Sequence, residues 1–136
     1  MITMKELLIH VQDNYELPPE HKNNLERLLS VMNELRAAYG QPMIITSGYR
    51  TLEHHLEIYK AKGITDKSHI PMASNHLKGL ACDVEAPYNG TLKKFILDNL
   101  DLCEKLGLYF ESLDVCPTWL HCQIVAPRSG KRFFNP

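Results

Sequence analysis

An α+β fold, with a small, mostly antiparallel sheet and flanking helices, is predicted by three features of the sequence. Helical periodicity is strongest early in the chain, the β-prone segments are short, and the later strands are joined by short loops. The chain has 136 residues, 44% of them hydrophobic and 23% charged, which fits one domain, 1–136, able to bury a core.

Thr3, with Glu6 three residues later, forms a capping-box pattern and predicts a short first helix. Pro18 and Pro19 mark the next start, because proline suits the first helical turn. Leu25, Leu28, Leu29, Met32, Leu35 and Tyr39 follow at helical spacing, and Gly40 supplies a left-handed stop. Met43 to Thr46 is a short apolar, β-branched run that breaks at Ser47 and Gly48, the pattern of a buried strand ending in a turn. Leu52, Leu56 and Tyr59 predict a brief helix ending before Gly63, and a polar, irregular loop runs on to Asn75. A strand is expected at 80–85. One further helix is expected to carry Leu92, Phe95, Ile96, Leu100 and Cys103, and to stop at Gly107. Strands near 108–113 and 119–125 then close the fold before a polar and aromatic tail, PRSGKRFFNP.

The net charge is −1 and the basic residues are scattered, so neither a nucleic-acid groove nor an anionic membrane surface is indicated. No apolar run approaches the roughly 20 residues of a spanning helix. The opening MITMKELLIH lacks the pattern of a secretion signal, so synthesis in the cytoplasm is expected. Cys82, Cys103, Cys116 and Cys122 form no CxxC pair and are expected to be small buried hydrophobes.

The chemistry concentrates in SNHLKGLACD, residues 74–83, and in WLHCQI, residues 119–124. Alternation along a strand sends Ala81 and Asp83 to one face and Cys82 and Val84 to the other. The same rule separates Trp119, His121 and Gln123 from Leu120, Cys122 and Ile124. If the two strands pair with matching faces, Asp83 and His121 lie together and the thiols enter the core. With His76 from the preceding loop, two imidazoles and one carboxylate form the three-ligand set that suits catalytic zinc and leaves a fourth position for water. Such a site lowers the pKa of water to roughly 7 and polarises a carbonyl, as amide hydrolysis requires. Gly79 would allow a tight turn between His76 and Asp83. The same three groups could instead form a hydrogen-bonded network without metal.

SNHLKGLACD resembles the SxHxxGxAxD motif of the zinc D-Ala-D-Ala carboxypeptidase and L-alanyl-D-glutamate endopeptidase family, with Ser74, His76, Gly79, Ala81 and Asp83 matching. WLH is similar to that family's second metal-binding stretch, and SGYRT to its upstream motif. The resemblance implies the Hedgehog/DD-peptidase fold, Zn2+ held by His76, Asp83 and His121, and Arg50 facing substrate as stabiliser of an oxyanion. Ser74 would bind substrate or cap its loop. A general base is also required. Many relatives carry an acid three residues before the last histidine, where this chain has Thr118, which cannot serve at neutral pH. Glu111, on the preceding strand, is the favoured candidate, with Asp114 or no functional base as the alternatives.

The implied function is zinc-dependent hydrolysis of peptidoglycan stem peptides at a bond next to a D-amino acid, with no nucleic-acid partner and no membrane insertion. The implied setting is a phage or prophage lysin that reaches the cell wall after release. The alternative is a catalytically inactive zinc-binding structural or binding module. Surface or capping roles are expected for His10, His21, His54 and His55, while His69 is a candidate for the cleft rim. Trp119 is expected in a wall or in the core.

Overall fold

The computed structural model describes residues 1–136 apart from Tyr88. The capping box forms as expected. Thr3 Oγ1 accepts from the Glu6 N–H at 3.3 Å, the Thr3 N–H donates to Glu6 Oε1 at 3.2 Å, and α1 spans Met4–Leu7. Helix α2 spans Pro19–Tyr39 and ends at Gly40 with φ 76°. Its Leu25, Leu28, Met32 and Leu35 are fully buried, each contributing about 1.5–3 kcal/mol of burial free energy.

Strand β1 spans Ile45–Ser47, α3 Leu52–Ala61 and β2 Ala81–Glu85. The long loop between α3 and β2 contains two short 3-10 turns, Lys67–His69 and Asn75–Lys78. Where one helix is expected, two form, α4 over Thr91–Asp98 and α5 over Leu100–Leu106. The break falls at Asn99, whose side-chain amide donates to Phe95 O at 2.8 Å. Asparagine bonds its own local backbone readily and so competes with the helical ladder. The expected apolar stripe nevertheless survives, because Leu92, Ile96 and Cys103 remain buried on both sides of the break.

Strands β3, Tyr109–Glu111, and β4, Trp119–Gln123, follow, with a 3-10 turn at Leu113–Val115 between them. The tail contributes a further strand, β5, over Phe133–Phe134. Among the described residues the sheet therefore has five strands in the order β1-β2-β4-β3-β5, antiparallel except for the β3–β5 pair. This is the small, mostly antiparallel α+β arrangement expected. The tail is no loose end: Phe110 N–H donates to Arg132 O at 2.8 Å, and Arg132 Nη1 returns a bond to Leu108 O at 2.6 Å. Among the described residues, no helix is long and apolar enough to cross a membrane.

The segment between β1 and α3 is pinned against α1. Tyr49 N–H donates to Leu7 O at 2.8 Å, and the Tyr49 ring is buried with its hydroxyl 2.8 Å from His21 Nδ1. At Gly48 an added Cβ would lie 2.1 Å from Leu7 O and 2.8 Å from Leu7 C, backbone atoms that cannot swing away. Gly48→Ala is therefore expected to destabilise the fold by about 1–3 kcal/mol or more, seen as a lower urea midpoint. An unchanged midpoint would mean that α1 can shift away freely.

Candidate metal centre

In the β2–β4 ladder Asp83 faces His121, and Cys82 faces Cys122 one step away. Because side chains alternate, the carboxylate and the imidazole share one face of the sheet while both thiols lie fully buried on the other. His76 comes from the opposite direction. Ser74 caps the Asn75–Lys78 turn, its Oγ accepting from the His76 N–H at 3.3 Å. Gly79 ends the turn at φ 76°, where a Cβ would also meet His21 O at 2.8 Å. Only glycine adopts that backbone without strain.

The Gly48 carbonyl accepts from His76 Nδ1 at 2.8 Å. Nδ1 therefore carries a proton, which leaves Nε2, 3.4 Å from Asp83 Oδ1, as the nitrogen available to a metal. His121 Nδ1 approaches the same oxygen at 3.0 Å. Each of the three side chains offers one donor atom, and the three atoms lie within 4.8 Å of one another. A tetrahedral zinc with bonds of about 2.0–2.2 Å has donor–donor edges of about 3.3–3.6 Å, near the 3.4 and 3.0 Å of the two edges that meet at Asp83 Oδ1. Two imidazole nitrogens and a carboxylate oxygen converging in this way fit a divalent metal.

Burial alone would raise the Asp83 carboxyl, but hydrogen bonds and charge from His121 and His76 outweigh it and hold it well below the usual carboxylate range. Burial likewise disfavours a charged His121, yet Asp83, with help from Glu111, raises its pKa above the ordinary value.

Arg50 stands at the rim. Its backbone N–H donates to His76 O at 3.0 Å, Nε donates to Ser47 Oγ at 3.3 Å, and Nη2 lies 3.8 Å from Asp83 Oδ2. Phe110 pairs with Cys122 and enters the core, which turns the neighbouring Glu111 to the site face. Glu111 Oε1 is 3.9 Å from His121 Nδ1, and Oε2 accepts from Cys116 Sγ at 3.3 Å. Burial and the Glu111 carboxylate push the Cys116 thiol up to about 12, so it stays a protonated donor. Lys93, buried with its amine lowered by that burial, donates to Cys116 O and Leu113 O and so fixes the turn beside Glu111.

His76, Asp83, His121, Arg50 and Glu111 line a cleft of about 610 Å³ that also takes in Ser74, Trp119, Gln123 and Phe134. Asp114 and Thr118 are exposed, and neither lines it. One histidine departs from expectation, and the candidate for the rim lies elsewhere. His69 pairs with Asp66 at 3.8 Å, exposed and away from the cleft lining. His55 is fully buried rather than at the surface, its Nε2 donating to Pro71 O at 3.0 Å and holding the loop that lines the cleft. Sequence reasoning also missed the roles of Ser47, Gly48, Lys93 and Cys116. Only the SGYR segment offered a local signal for any of them.

A family model described as peptidase M15 matches residues 2–109, most of the chain. The chain belongs to the peptidase M15 family. No curated protein and no solved structure matches it. The matched segment of this M15 chain contains Arg50, Ser74, His76 and Asp83, while Glu111 and His121 lie beyond it and reach the cleft on β3 and β4.

This M15 chain is expected to bind one zinc per molecule in a calorimetric titration. Asp83→Asn should weaken binding more than the 10–100-fold typical of losing an outer partner. Affinity should also fall as pH drops through the raised His121 pKa, because protons then occupy the donor nitrogen. Affinity indifferent to both changes would place the metal elsewhere.

Proposed function

We propose that the chain is a zinc-dependent peptidase that hydrolyses peptidoglycan stem peptides at a bond next to a D-amino acid. It would be of the D,D-carboxypeptidase or L-alanyl-D-glutamate endopeptidase type and act on the cell wall as a phage or prophage lysin. The observation that carries this is the convergence of His76, Asp83 and His121 in one cleft with Arg50 and Glu111 on its walls. Membership of a peptidase family supports the reaction class. Zinc, when bound, supplies Lewis acidity that makes water nucleophilic near neutral pH and polarises a carbonyl.

The protein's own groups supply the rest. Glu111 is the general base, taking a proton from the attacking water and delivering it to the leaving amine. Its Oε2 is tied to the Cys116 thiol, which orients the carboxylate with Oε1 towards the donors. Arg50 offers N–H donors and positive charge to the oxyanion of the tetrahedral intermediate. Ser74 Oγ already accepts from His76 N–H, and its hydroxyl proton is still available to a substrate carbonyl.

One basic side chain of the cleft is placed to meet an anionic group of the substrate. Lys62 lines it with Nζ 5.0 Å from the centre of the Tyr59 ring, and among the described residues it makes no ion pair. Stem peptides carry free carboxylates, and this ammonium is a ready partner for one. A second reading, an inactive zinc-binding module, is favoured by one feature: Thr118 stands where related sequences carry an acid, and it cannot act as a base.

Digestion of purified peptidoglycan, with mass spectrometry of the fragments, tests the proposal and identifies the bond. Release of stem-peptide fragments is expected, and a folded, zinc-loaded sample that releases none would favour the inactive module. Glu111→Gln should lower turnover by about 10²–10⁴-fold while zinc stays bound; retained turnover would move the base elsewhere. Lys62→Ala should raise KM several-fold with kcat nearly unchanged, because a remote carboxylate contact acts equally on ground and transition states.

A further inference from the structure

We infer that Gln123 is a positioning residue that fixes the His121 tautomer, with the Val125 carbonyl fixing Gln123 in turn; this rests on the proposed metal role of His121. Gln123 follows His121 by two positions on β4, shares its face of the sheet, and is only 3% exposed. Its Nε2 donates to Val125 O at 2.8 Å. A carbonyl can only accept, so the amide nitrogen must face Val125 and the amide oxygen must face the other way. That oxygen, Oε1, lies 2.8 Å from His121 Nε2. The flipped amide would set Oε1 against the Val125 carbonyl, two acceptors in contact, and lose that bond.

The consequence follows along the chain of bonds. Facing a pure acceptor, His121 Nε2 must carry a proton, so in the neutral, metal-binding ring the lone pair falls on Nδ1, the nitrogen 3.0 Å from Asp83 Oδ1. Gly48 O imposes the mirror arrangement on His76, with the proton on Nδ1 and the lone pair on Nε2. The two imidazoles thus present different nitrogens to the same point. One is fixed by a backbone carbonyl, the other by a buried side chain that substitution can reach. Outer hydrogen bonds of this kind set ring orientation and donor basicity.

The test uses the whole protein with zinc as the probe, following affinity by chelator competition and proton position by imidazole nitrogen NMR of 15N-histidine-labelled protein. In the zinc-loaded protein, His121 should carry its proton on Nε2 and His76 on Nδ1. Gln123→Met, which has no acceptor at that position, should bind zinc about 10–100-fold more weakly. Gln123→Glu keeps an acceptor and should retain the Nε2–H tautomer with affinity near that of the native chain. A folded Gln123→Met variant with native affinity would overturn the inference while leaving the metal site intact. A His121 proton on Nδ1 would also overturn it, whether or not any variant folds. Failure of the native chain to bind zinc would remove the metal site itself, and this inference with it.

Discussion

In the β2–β4 ladder Asp83 stands opposite His121 and Cys82 opposite Cys122, and the candidate site exists only in that register. A slip of one residue exchanges the faces of a strand. It would carry the carboxylate or the imidazole into the core and bring a thiol into the cleft. The core side resists any such slip, since Cys82, Val84, Leu120 and Cys122 are all fully buried there. Apolar burial on one face thus holds the polar chemistry in place on the other, and the energy that sets the register comes from side chains that touch no substrate.

The remaining imidazole depends on a different frame. Ser47, Gly48, Tyr49 and Arg50 form a short extended link in which each residue holds something: Ser47 the Arg50 guanidinium, Gly48 the His76 ring, Tyr49 the end of α1. The Arg50 backbone then bonds the His76 carbonyl. Helix α1, only one turn long, therefore reaches the site through Leu7, against whose backbone Gly48 packs with no room for a side chain. The fold brings together one wall built on sheet register and one built on a glycine contact. The donors converge where the walls meet.

Much of this was legible in the sequence, and what was not has physical reasons. Period-two alternation in ACDVE and WLHCQ sorts ligands from core thiols because each strand has one buried face, and the stripe on α2 is long enough for its periodicity to be unambiguous. The Asn99 break leaves no mark in the pattern because the apolar spacing continues across it. Strand β5 is two residues long, too short for any alternation, and its pairing with β3 is set by contacts distant in sequence. Cys116 and Lys93 look unremarkable as letters; their roles come from a turn that folds a thiol under Glu111 and an amine under the turn's carbonyls. His55 adjoins His54 on a helix and reads as a surface or capping residue, but its bond to Pro71 O satisfies one ring nitrogen in the interior.

Zinc-edge anomalous diffraction from crystals grown with zinc addresses the central claim most directly. A single strong peak is predicted about 2.0–2.2 Å from His76 Nε2, Asp83 Oδ1 and His121 Nδ1 together. A map with zinc bound elsewhere, or with the ion touching His121 through Nε2, would contradict the account.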